Sequence, residues 1–97
     1  MDLRAPEYYA VSGLPVVGAQ VDIWDAVLGT PAGSPLTSTT TDPNGWWTFT
    51  GLTDTPKDVR VTFAGYVRWY KGLTEANMFT VRSRSAAWYD PVFLVRL

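Results

Sequence analysis

The chain has 97 residues, 46% of them hydrophobic, a net charge of −1, and neither cysteine nor histidine. That is room for one domain with one modest core. The missing residue types exclude disulfides, thiolate chemistry, a Ser-His-Asp triad, a Cys-His pair and every histidine-based zinc site, and the near-neutral charge gives no whole-chain case for nucleic acid.

The N-terminus, Met1-Asp2-Leu3-Arg4-Ala5-Pro6-Glu7, is charged and mixed, unlike a signal peptide. No apolar run approaches the roughly 20 residues that span a bilayer, so no membrane partner is expected. Residues 8–12 are β-prone, and Gly13-Leu14-Pro15 breaks the run. Residues 20–27 then alternate, with Val21 and Ile23 on one face and Gln20, Asp22 and Trp24 on the other, which is the period of a half-buried strand. Residues 28–35, dense in Gly and Pro, predict a loop, and residues 36–41 a threonine-rich strand.

Asp42-Pro43-Asn44-Gly45 is turn chemistry. Proline suits the second position, glycine supplies the positive φ that follows, and Asp42 can accept hydrogen bonds from the turn amides. Residues 46–52 put Trp47 and Phe49 on one face and Trp46, Thr48 and Thr50 on the other. After a turn at 53–56, residues 57–64 alternate with Val59, Val61 and Phe63 inward and Arg60 and Thr62 outward. Gly65 interrupts, and 66–70 resume in extended form. Residues 73–79 fit a helical turn capped by Thr74, and 78–81 equally a strand. Residues 92–97 predict an apolar terminal strand that pairs within the domain or with a neighbouring chain.

Strands at intervals of roughly ten residues, with turn signals between them, predict an all-β fold, a small antiparallel β-sandwich. The expected division is a sandwich domain over 1–70 and a C-terminal extension over 71–97 that serves oligomerisation or docking. Charge is polarised along the chain. Asp22, Asp25, Asp42, Asp54 and Asp58 precede Arg60, Arg68, Lys71, Arg82, Arg84 and Arg96, a distribution that can steer one copy toward another.

Three groups of residues carry a family resemblance: Gly13, Pro15, Val16, Gly18, Ala19, Val21 and Ile23; Thr41, Asp42, Asn44, Gly45, Trp47, Phe49 and Leu52; and Val59, Val61, Phe63, Gly65 and Tyr66. Together they resemble the carboxypeptidase regulatory-like domain, a transthyretin-like (prealbumin-like) β-sandwich. The likeness covers roughly the middle half of the chain and implies a fold more than a function, because the module is attached to many unrelated proteins. A second resemblance is carried by Val59-Arg60-Val61-Thr62-Phe63 and Tyr66-Val67-Arg68-Trp69-Tyr70-Lys71-Gly72-Leu73. It is to segments of bacteriophage tail-fibre and other virion proteins, in which such a sandwich leads into an oligomerisation segment. No long repetitive shaft is present, so the resemblance implies a short adaptor, baseplate or decoration subunit.

Nothing in the sequence assembles a reaction centre. Glu7, Glu75 and the scattered aspartates form no glycosidase pair, and no serine stands close to Lys57 or Lys71. No catalytic residue and no cofactor are expected. Asp42-Pro43-Asn44-Gly45 lacks the acidic ligands and closing glutamate of a calcium loop, so no metal is expected either. Trp24 and Trp46 are expected to face outward, where they would stack on a sugar, anchor a protein interface or lie beneath a loop or terminal segment. Tyr66, Arg68, Trp69, Tyr70 and Lys71 interleave aromatic and basic residues, a mix suited to single-stranded nucleic acid or to an oligomer interface. No nucleic-acid motif accompanies them, so no nucleic-acid partner is expected.

The interface candidates are Trp69, Tyr70, Met78, Phe79, Trp88, Tyr89 and Phe93. The implied function is that of a non-catalytic structural subunit of a bacteriophage particle, tail-, baseplate- or fibre-associated or a capsid decoration protein. It would be made in the host cytoplasm and located in the virion. Its partners would be other virion proteins and copies of itself, a trimer by analogy with tail fibres. The alternative is a carbohydrate or cell-surface binding module that uses Trp24 and Trp46 on a glycan.

Overall fold

The computed structural model describes residues 1–9, 12–76, 95 and 96. Seven strands lie among them: β1 (Leu3–Pro6), β2 (Gln20–Asp25), β3 (Thr37–Thr40), β4 (Trp46–Phe49), β5 (Lys57–Phe63), β6 (Tyr66–Leu73) and β7 (Val95–Arg96). The segments with the cleanest period-two pattern pair with each other. β2 and β5 run antiparallel with Val21 opposite Val61 and Ile23 opposite Val59, which sets four β-branched side chains on one face.

β3 adds to the free edge of β2, β6 to that of β5 and β7 to that of β6, giving a five-stranded sheet in the order β3-β2-β5-β6-β7. β1 and β4 form a second, two-stranded sheet. All pairings are antiparallel. The fold is therefore all-β, a small antiparallel β-sandwich.

The core fills the space between the sheets. Leu3 and Ala5 come from β1, Trp47 and Phe49 from β4, and Val21, Ile23, Val59, Val61, Tyr70 and Leu73 from the larger sheet. Val16 and Ala19 close it from the segment before β2. The turn at 42–45 carries the chain from β3 in one sheet to β4 in the other. Asp42 Oδ1 accepts the amides of Asn44 (2.9 Å) and Trp46 (3.0 Å), and Gly45 adopts φ +81°. β5 and β6 are joined by the two-residue loop Ala64-Gly65, with φ of 49° and 84°. Positive φ at both positions matches a type I′ hairpin turn.

Three expectations change. β1 was not foreseen. Tyr8 and Tyr9 belong to no strand, and Tyr8 forms an isolated bridge to Pro15. The expected boundary at residue 70 falls inside β6, which continues to Leu73, a core residue. The sheet thus extends past position 70, because Lys57 pairs with Leu73 across a bulge in β5–β6. β7 pairs with Tyr66 and Val67, so the terminal strand joins its own sheet. Met78, Phe79, Trp88, Tyr89 and Phe93 lie outside the described residues, as does most of the segment read as helical turn or strand.

Candidate functional site

Alternation on β2 and β5 sends Gln20, Asp22, Trp24, Arg60 and Thr62 to the face of the large sheet that points away from the core. The register brings them into rows. Ser38, Asp22, Arg60 and Trp69 stand side by side across four strands, and Gln20, Thr62 and Val67 form the next row. Arg60 Nη2 donates to Asp22 Oδ2 at 2.9 Å. Asp22 Oδ1 accepts from Ser38 Oγ at 2.6 Å and from Gln20 Nε2 at 3.0 Å. Burial pushes the Asp22 carboxyl up, but the hydrogen bonds from Gln20, Ser38 and Arg60, with the Arg60 charge, outweigh it and hold the group below its ordinary range.

The two tryptophans meet over this row. Trp24 and Trp69 have ring centroids 5.6 Å apart, and the Arg60 guanidinium lies 5.0 Å from the Trp24 ring and 5.7 Å from that of Trp69. Such a cation–π arrangement is worth roughly 0.5–1 kcal/mol when exposed and more when desolvated. Trp24 is fastened from the other side, its Nε1 donating to Gly33 O at 3.2 Å. The loop carrying Gly33 is itself clamped. Asp58 Oδ2 accepts the Val27 amide (3.1 Å) and the Lys71 ammonium, which also donates to the carbonyls of Val27 and Gly29. Asp58 Oδ1 accepts the Gly72 amide at 2.9 Å. Beside the tryptophan pair runs an open groove of about 460 Å³, lined by Gln20, Asp22, Arg60, Thr62, Val67 and Trp69.

The residues singled out from the sequence separate into three environments. Trp24 and Trp69 come together on the outer face. Of the three readings for Trp24, cover by a loop is the one found: it is only 8% exposed, beneath Trp69, Arg60 and the Gly33 loop. Trp46 lies apart on β4, half-buried beneath the Arg4 guanidinium, 4.6 Å from its ring. Tyr70 is not at the surface. Opposite Val59 on the core side of β6, it is 5% exposed and packs 5.9 Å from the Trp47 ring, so it cannot serve as an interface anchor. Trp69, its neighbour on the other face, keeps an accessible edge.

Sequence reasoning missed the Asp22–Arg60 pair, although both occupy outward positions of alternating strands, a signal sufficient to suggest it. It also missed Glu7, which is fully buried and takes hydrogen bonds from Trp47 and Tyr70. Among the described residues no group of three or more acidic side chains could hold a metal ion, and no helix is long and apolar enough to cross a membrane. Comparison of the chain with protein-family models, with curated proteins and with solved structures found no match.

Proposed function

We propose that this chain is a non-catalytic structural subunit of a bacteriophage particle, associated with the tail, baseplate or fibre or decorating the capsid, and that it docks against copies of itself and other virion proteins. The observation that carries this is the Trp24–Arg60–Trp69 cluster on the outer face of the large sheet. Tryptophan and arginine ringed by polar side chains are the composition of an interface hot spot. Asp22 holds Arg60 and Gly33 holds Trp24 before any partner arrives, so little side-chain freedom remains to be lost on docking. The virion setting and the transthyretin-like family draw support from the sequence resemblances alone, and a trimer is the assembly they suggest.

Trp69→Ala tests the cluster. Sedimentation velocity of the whole chain at micromolar concentration should give an oligomer, and the variant a monomer with unchanged circular dichroism. A monomeric wild type, or an oligomer indifferent to the substitution, contradicts the proposal.

The groove gives carbohydrate binding a specific foothold as a second reading, because Gln20, Asp22 and Thr62 set polar groups beside the Trp69 ring. A glycan would then stack on Trp69 rather than on Trp24 or Trp46. Perturbation of the Trp69 indole resonance by added oligosaccharide, in a chain that remains monomeric, would favour it.

A further inference from the structure

Glu7 directly follows β1, and its backbone is fixed on both sides. The amide donates to Gly45 O at 2.8 Å, and the carbonyl accepts the Val16 amide at 3.0 Å. The side chain has no exposed surface. Its Oε1 accepts from Trp47 Nε1 at 3.0 Å and from Tyr70 Oη at 2.6 Å. Trp47 belongs to the two-stranded sheet and Tyr70 to the five-stranded one, so a single oxygen bridges the two layers. The other oxygen, Oε2, is buried and has no hydrogen-bond partner among the described residues.

A carboxylate in that position places charge on an oxygen that no donor faces, in surroundings of core side chains, whereas the neutral acid does not. We propose that Glu7 is a proton-operated latch between the two sheets: they close on the neutral carboxyl, and its ionisation loosens the sandwich.

The groups around it set the balance. From β6, Tyr70 donates to the carboxyl, and the Arg68 guanidinium lies 4.9 Å from the Tyr70 ring. β4 contributes Trp47, which does not titrate. The segment 13–18 has no charged residue, and Asp42 in the 42–45 turn is engaged by its own amides. Burial pushes the Glu7 carboxyl up from 4.5 to about 7, against the downward pull of Tyr70, Trp47 and Arg68. Burial and Glu7 together raise Tyr70 well above its ordinary value, so it stays a phenol and a donor.

The sign follows from linkage. A folded-state value above the unfolded one means the latch contributes fully below pH 4.5, loses strength as pH rises, and contributes nothing further above about 7. Across that window the folding equilibrium constant should fall by a factor on the order of 10². The chain has no histidine, so no side chain has an ordinary pKa between pH 5 and 8 to imitate this.

The chain contains two glutamates, Glu7 and Glu75, so carboxyl-¹³C-glutamate labelling of the whole protein gives two titrating resonances. One should titrate near 7 and vanish in Glu7→Gln. Urea unfolding of the wild type should show lower stability at pH 8 than at pH 5, with the loss abolished in Glu7→Gln. Should Glu7→Gln fail to fold, Arg68→Gln keeps the carboxyl and removes a charge that favours its ionised form, so the Glu7 titration must move to higher pH. Two glutamates that both titrate below pH 5.5, an unshifted titration in Arg68→Gln, or equal pH dependence in wild type and Glu7→Gln would each overturn the latch.

Discussion

Gly45 sits where the backbone packs too closely to admit a side chain without strain. Its φ of +81° is left-handed, and a Cβ there would meet Glu7 O at 2.7 Å and Pro15 Cβ at 2.9 Å. The first of these is the backbone of the latch residue, held by hydrogen bonds to Val16 and to Gly45 itself, so it has little room to yield. Gly45→Ala is expected to cost about 1–3 kcal/mol, read as a lower urea midpoint with an unchanged slope. Glycine at this turn was legible from Asp42-Pro43-Asn44-Gly45, because turn chemistry is local. The second reason for it, close approach of the Glu7 carbonyl, was not. Nor was Glu7 itself: a charged residue in a mixed N-terminal stretch reads as solvated, and only the arrival of Trp47 and Tyr70 from distant strands makes a buried site for it. Lys57 is a parallel case. Its ammonium is buried yet surrounded by oxygens of Thr53 and Thr55, with Asp25 Oδ1 at 3.0 Å, so a lysine that opens an outwardly ordinary strand ties down the loop before it.

Among the elements, β2, β4 and β5 were readable because alternation of Val, Ile, Trp and Phe against polar residues is the physical signature of one buried face. β1 escaped notice because it is four residues long, begins in a charged stretch and ends in Pro6. It survives because pairing with β4 and burial of Leu3 and Ala5 override weak local preference. Alternation gives the direction of Trp24, and a covering loop is among its readings, but the identity of that cover, Trp69 and the Gly33 loop, is something no strand pattern reports. The end of β6 was misplaced for a similar reason. The Gly72 amide is held by Asp58, a residue of another strand, and β6 continues to Leu73. A chain ending at Tyr70 loses the buried Leu73 and two of the three groups that donate to Asp58, namely Lys71 and the Gly72 amide. It should be less stable than a chain ending at Ala76 by about 3 kcal/mol or more, measured by denaturant unfolding of the two side by side.

At the scale of the molecule, the two faces of the large sheet have different work. The inner face builds the core and meets Glu7, on which both sheets converge. The outer face carries the Trp24–Arg60–Trp69 cluster and its groove, already fixed by Asp22, Gly33 and the Lys71–Asp58 clamp. A surface of that composition is suited to being covered by protein. Because the chain has no cysteine, a single introduced thiol reports directly on whether it is covered. Thr62→Cys places that thiol in the groove, and Thr48→Cys places one on the exposed side of β4 as the reference. With the protein assembled at micromolar concentration, the Thr62→Cys thiol should react slowly with a maleimide and recover full reactivity on dilution, while Thr48→Cys reacts rapidly throughout. Equal, concentration-independent reactivity at both positions would mean that nothing docks on the outer face.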